Sequence, residues 1–184
     1  MLKLAVLISG RGSNMTCLAD AIGSMALAAQ ISVVISNRDC DGIGLANTRG
    51  LPTRTIKRSA YDTRLEHEQA MLAAIDESDA DLVFLAGYMA ILESEFVEHF
   101  KGRLINIHPS LLPAFKGLDT HQRALDAGAT KHGVSVHLVN AKLDDGPLIA
   151  QASLLVNSKQ TAEQLAARVL QLEHQLYPFV LKAL

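Results

Sequence analysis

The chain of 184 residues contains no tryptophan, and only 4% of its residues are aromatic. Few rings are available to stack on bases, which argues against specific reading of single-stranded RNA. A basic surplus is also missing. Lys and Arg number 17 against 19 Asp and Glu, a net charge of −2, so no nucleic-acid partner is expected. Cysteine is scarce, with only Cys17 and Cys40 and no CxxC spacing. Two cysteines cannot build a disulfide framework, and a reducing cytoplasm is the expected compartment. No stretch approaches 18 consecutive apolar residues, so no membrane span is expected. The early run MLKLAVLISGRGS has strand length and no separate basic segment, which makes it a poor signal peptide.

What is present suits one soluble domain over residues 1–184, since 49% of the residues are hydrophobic and 20% charged. Apolar runs of strand length recur at 2–8, AAQISVVISN, LPTRTI, DLVFLAG and RLINIH. They are near-continuous rather than alternating, the mark of strands covered on both faces. Helical stretches lie between them. NMTCLADAIGSMALA follows the first run. AYDTRLEHEQAMLAAIDES precedes DLVFLAG and carries Leu65, Met71, Leu72 and Ile75 at near-helical spacing. The expectation is an α/β fold with a doubly wound, mostly parallel sheet. Beyond residue 120 the pattern changes. THQRALDAG reads as a short helix. GVSVHLVN sets Val134, Val136 and Leu138 against Ser135 and His137, and GPLIAQASLLV follows a turn, which predicts an antiparallel edge region. The last helix opens with a Thr161–Gln164 capping box.

Four places carry candidate chemistry. SGRGSN (9–14) joins a strand to a helix, where backbone N–H groups and a positive helix end favour a phosphate. The motif is neither GxGxxG nor GxxxxGK[ST], and a plain turn with Ser13 or Asn14 capping the helix explains it equally well. In NIHPSLLPAF, Asn106 and His108 stand two apart and project to the same side of a strand. Pro109 then ends that strand and opens the pair into the crevice beyond the strand ends, where ligands bind in open α/β sheets. An amide beside an imidazole suits an oxygen that becomes negative in a transition state. Asp144 and Asp145 in KLDDGP offer a carboxylate partner, or simply turn residues. Glu173 falls on the inward stripe of Leu165, Val169, Leu172 and Leu176, and the favoured reading is a stripe-edge residue reaching water. His108, His121, His132, His137 and His174 form no HxxxH or HExxH, so no metal is expected.

These motifs together, NIHPSLLP, LDDGPLIAQ, LISGRGSN and ARVLQLEHQLYP, resemble the formyltransferases that use 10-formyltetrahydrofolate, over essentially the whole chain. The resemblance implies a Rossmann-like formyltransferase fold and the branch of the family whose acceptor is glycinamide ribonucleotide, in purine synthesis. It implies a catalytic trio of Asn106, His108 and Asp144. It also implies substrate contacts at Gly12, Ser13, Asn14 and Glu173, the last with the ribose. Arg64, Met89, Ala90, Ile91, Leu92, Leu104, Val139, Asn140 and Leu143 match the folate site. A phosphate-binding half over about 1–100 and a catalytic and folate-binding half over about 101–184 follow. The expected partners are these two small molecules, with no metal, no membrane, and a monomer or weak homodimer.

The chain departs from the pattern at Ala90, Lys116, Asp119, Asp145 and Leu170, where relatives usually carry Arg, Pro, His, Gly and a polar residue. These departures bear on affinity and leave the trio intact. The implied reaction is direct attack of the amine on the formyl carbon. Asn106 and protonated His108 stabilise the oxyanion, and Asp144 assists proton transfer. The alternatives are a hydrolase that passes the formyl group to water, a transferase acting on charged tRNA, and a non-catalytic binding protein. The first two usually carry an extra domain, for which 184 residues leave no room.

Overall fold

In the computed structural model, which describes residues 1–184, the chain forms two compact units, Met1–Ile105 and Asn106–Leu184. In the first, the apolar runs become β1 (Leu2–Ile8), β2 (Ala29–Ser36), β3 (Thr53–Thr55) and β4 (Leu82–Leu85). β1 pairs in parallel with β2 and with β4, and β2 pairs in parallel with β3. Leu4, Ala5, Val6, Leu7 and Ile8 have no exposed surface, as expected of a central strand covered on both faces. Helices α1 (Ser13–Ser24), α2 (Asp41–Thr48), α3 (Arg64–Glu77) and α4 (Ser94–His99) connect the strands, with a short 3₁₀ turn at Arg58–Ala60.

The second unit continues from β5 (Leu104–His108) through α5 (Thr120–Asp126), β6 (Lys131–Leu138) and β7 (Leu148–Leu155) to α6 (Ala162–Ala183). β6 and β7 are antiparallel, and the sheet order is β3-β2-β1-β4-β5-β6-β7. The fold is α/β with a mixed sheet of seven strands, as the alternating pattern predicts. The capping box at α6 is also present. Thr161 Oγ1 accepts from the Gln164 amide at 3.3 Å, and Gln164 Oε1 accepts from the Thr161 amide at 2.9 Å.

Several local expectations are corrected. Gly12, not Ser13 or Asn14, occupies the cap position of α1, with φ 74° and no side-chain cap. Helices α2 and α4 were not expected. The α2 sequence DGIGLANT is rich in weak helix formers, and α4 has only six residues. On α3 the buried face is His67, Glu68, Met71 and Ile75, while Leu65 is 44% exposed. On β6 both faces are buried, so Ser135 and His137 lie inside rather than on a wet face. Glu173 is buried, not reaching water, while Leu172 is only half-buried.

α2 lies close against the first loop because glycine permits it. A Cβ on Gly42 would meet Ile8 Cδ1 at 2.6 Å and the Gly10 carbonyl oxygen at 2.7 Å. A Cβ on Gly12 would meet Gly42 Cα at 2.8 Å. The Gly42 amide donates to the Gly10 carbonyl at 3.0 Å. Gly42→Ala is expected to cost about 1–3 kcal/mol, the usual range for overpacking. Urea denaturation would report it as a lower midpoint with an unchanged slope.

Candidate active site

β5 ends by placing Asn106 and His108 on the same side, as their two-residue spacing requires. Beyond it, residues 115–119 and the turn at 144–146 supply the partners. Asp144 sits at φ 47°, a left-handed conformation that aims its carboxylate inward. Gly146 makes the turn possible, since a Cβ there would stand 1.7 Å from the Leu138 carbonyl oxygen.

His108 lies between two acceptors. Its Nε2 is 3.1 Å from the Phe115 carbonyl oxygen, and its Nδ1 is 3.4 Å from Asp144 Oδ2. A carbonyl only accepts, so the ring proton of neutral His108 sits on Nε2 and Nδ1 is left toward the carboxylate. Asp144 Oδ2 accepts a backbone hydrogen bond from Gly117 at 2.8 Å. Burial alone would raise the Asp144 carboxyl. The neighbouring His137, the Gly117 amide and His108 outweigh burial and hold it below the usual carboxylate range. Burial is also the largest influence on His108. It lowers the imidazole below the ordinary histidine value, against the Phe115 carbonyl and Asp144, which raise it. The resting pair is therefore a neutral imidazole facing an ionised carboxylate, ready to take one proton at Nδ1.

His137 completes the cluster and was not among the expected site residues. Its Nδ1 is 2.8 Å from the Leu138 carbonyl oxygen and so carries the hydrogen. Its Nε2 stands 3.2 Å from Asn106 Nδ2, from which it accepts when the ring is neutral, and 3.7 Å from Asp144 Oδ1, which it stabilises when the ring is charged. This contact fixes the Asn106 amide and leaves its second N–H for another acceptor. The alternation of GVSVHLVN concealed His137, because a half-wet strand places such residues on its polar face.

The loop between β5 and α5 rests on a saturated hydroxyl. Ser135 Oγ donates to the Ser110 carbonyl at 2.6 Å. It accepts from the Leu112 amide at 3.0 Å and from Gln151 Nε2 at 2.8 Å. Glu173 is buried on α6 one turn before Tyr177. Burial, and then the Glu173 charge, push the Tyr177 phenol far above its usual value.

The other expected residues fall within the first unit, apart from Val139, Asn140 and Leu143. At the first loop, Gly12 and Asn14 are buried and Ser13 is half-buried. Ser9 ties the strand ends together: its Oγ donates to Asn37 Oδ1 at 2.8 Å and accepts from the Met89 amide at 2.8 Å. Sequence reading missed both Ser9 and Asn37, since attention in that turn fell on Gly12, Ser13 and Asn14. Met89 and Ile91 are 65% and 64% exposed, and Ala90 is exposed beside them, while Leu92 is half-buried and Leu104 is core. Buried Glu68, also missed, accepts from the Glu93 amide at 3.1 Å and so anchors the far end of that loop. Arg64 is paired with Glu93 at 2.7 Å. In the second unit, Val139 is half-buried, and Asn140 and Leu143 are exposed. No three His, Cys, Asp or Glu side chains cluster as a metal site, and no helix is long and apolar enough to cross a membrane.

The end of β5 thus brings together a half-buried amide, two buried imidazoles and a buried carboxylate. The formyl transferase family matches residues 2–181, and the chain belongs to that family. It is 42% identical over 181 residues to phosphoribosylglycinamide formyltransferase of Escherichia coli, covering 98% of this chain and 85% of that protein. The solved phosphoribosylglycinamide formyltransferase of Coxiella burnetii superposes with a TM-score of 0.94 at 48% identity, covering 98% and 85% of the two chains. The enzyme of the same name from Brucella melitensis superposes at 0.94 and 45% identity, covering 99% and 94%.

His132 provides a test of this interior. It has no exposed surface, and its Nε2 lies 3.2 Å from His121 Nδ1. Burial first, and then the charges of His121 and His108, lower its pKa to about 4. The folded value lies below the unfolded one. The stability from keeping His132 neutral is therefore complete above the ordinary histidine value and lost as pH falls toward about 4. Urea midpoints measured across that interval are expected to decline less steeply in His132→Phe than in the parent chain.

Proposed function

We propose that this enzyme transfers the formyl group of 10-formyltetrahydrofolate to the amine of glycinamide ribonucleotide, a step of purine biosynthesis. The observation that carries the reading is the arrangement at the end of β5, where His108 Nδ1 lies 3.4 Å from Asp144 Oδ2 and Asn106 is held by His137. The activity for which relatives above 40% identity are named supports it. The uncharged amine attacks the formyl carbon, and a tetrahedral oxyanion develops. The Asn106 N–H left over from His137 donates to that oxygen. The amine proton passes to His108, directly or through water, and the imidazolium so formed places a positive charge beside the oxyanion. Asp144 stabilises this charged form and aids return of the proton to the leaving nitrogen. The sequence-based expectation had His108 protonated from the start. The effect of burial on its pKa favours a ring that gains its proton during the reaction.

Gly12, Ser13 and Asn14 are assigned to the substrate phosphate, at the positive end of a helix of 12 residues. The buried Glu173 carboxylate is assigned to accept from the ribose hydroxyls. Met89, Ala90, Ile91, Leu92, Leu104, Val139, Asn140 and Leu143 are assigned to the pterin and its linker, and Arg64 to the acidic tail of the folate. Exposed Met89 and Ile91 suit a wall that awaits an aromatic ligand. In this reading, residues 1–184 act as a single formyltransferase domain, with phosphate binding in its N-terminal half.

The test is folate deformylation followed spectroscopically, with and without glycinamide ribonucleotide. Turnover that depends on the ribonucleotide and yields the formylated product is the expected result. Equal deformylation without it makes water the acceptor and overturns the assignment. Asn106→Ala and His108→Ala are each expected to lower kcat by about 100- to 1000-fold, the range for losing one oxyanion donor, with the fold retained.

A further inference from the structure

Residues 115–119 have an unusual backbone. Phe115, Gly117 and Asp119 lie at φ 54°, 79° and 56°. Two of these are non-glycine residues in the left-handed region, a conformation that persists only where the surroundings over-determine it. The same short segment serves both members of the His108–Asp144 pair. Its Phe115 carbonyl faces His108 Nε2, and its Gly117 amide donates to Asp144 Oδ2.

Arg123, in the last turn of α5, grips this segment from outside. Its Nη1 donates to the Lys116 carbonyl at 2.6 Å and to the Leu118 carbonyl at 3.1 Å. Its guanidinium carbon stands 5.8 Å from the centre of the Phe115 ring. A second tie comes from Lys116, whose ammonium pairs with Asp145 next to Asp144. Arg123 thus touches residues on both sides of Gly117 and the ring of the residue whose carbonyl orients His108. Lysine would keep the charge but lack the flat face and fixed fork that make these contacts together.

We propose that Arg123 is a positioning residue for the His108–Asp144 pair, fixing the His108 tautomer by holding residues 115–118. Its link to turnover rests on the proposed formyl transfer; its link to the tautomer does not.

The test uses the full chain, with ¹⁵N-histidine labelling to read the His108 ring nitrogens and kinetics with both substrates. In the parent, one His108 tautomer with hydrogen on Nε2 is expected. In Arg123→Ala, the ring signals should move toward a mixture, and kcat should fall about ten-fold with KM changed less, since misplacement of a reacting group acts mainly on the rate. Arg123→Lys should stay closer to the alanine variant than to the parent in both measurements. Gln122→Ala, its neighbour on α5, should match the parent. Unchanged tautomer signals in Arg123→Ala overturn the proposal. So does full restoration by Arg123→Lys, which would make charge alone the cause. If Arg123→Ala does not fold, Arg123→Gln carries the same two readouts. Absence of turnover in the parent would remove the function proposed above while the ring signals still decide this inference.

Discussion

An ionised carboxylate beside a buried imidazole sets the demands that the second unit meets. Asp144 is 9% exposed, and burial penalises its charge unless hydrogen bonds and opposite charge answer it. One oxygen accepts from the Gly117 amide and the other faces His137. To bring those groups there, Phe115, Gly117 and Asp119 adopt left-handed conformations and Gly146 gives up its side chain. The strain at such non-glycine residues is about 1–2 kcal/mol each, which an orienting hydrogen bond to a charged group offsets. The local stability of this region and its chemistry therefore draw on the same few bonds.

The alternating α/β pattern was legible because the runs around β1, β2, β4 and β5 are long and rich in aliphatic residues. α2 was not, since Gly42 and Gly44 speak against a helix until the approach to Gly10 and Gly12 is seen. Asn106 and His108 stood out at a strand end before a proline, whereas the turn left Asp144 and Asp145 equally open and only the family resemblance singled out Asp144. His137 was hidden by an alternation that normally marks a surface face. Whether β6 is covered on one side or two depends on tertiary packing, which no window of its own sequence contains. Glu173 was visible as an anomaly on an apolar stripe, yet only its burial overrules the reading that it reaches water.

Two of the positions where the chain departs from the formyltransferase pattern find each other in space. Lys116 and Asp145 form an ion pair, 29 residues apart in sequence. An exposed pair of this kind is worth little alone. Its place matters more, because each partner adjoins a residue that touches or holds the Asp144 carboxylate. Asp119, another departure, supplies the left-handed residue that starts α5. Ala90 and Leu170 have no comparable partner-based explanation.

The Lys116–Asp145 pair means that two distant stretches of this chain have to be inherited together. A chimaera that takes residues 110–120 from a relative with Pro at 116, while keeping the 140–147 turn, would strand Asp145 beside Asp144. The exposed Asp145 carboxylate would then lose its counter-charge one residue from the buried Asp144. For loop grafting within this family, the natural cassette is thus a pair of segments joined by a charge, and neither segment is interchangeable by itself.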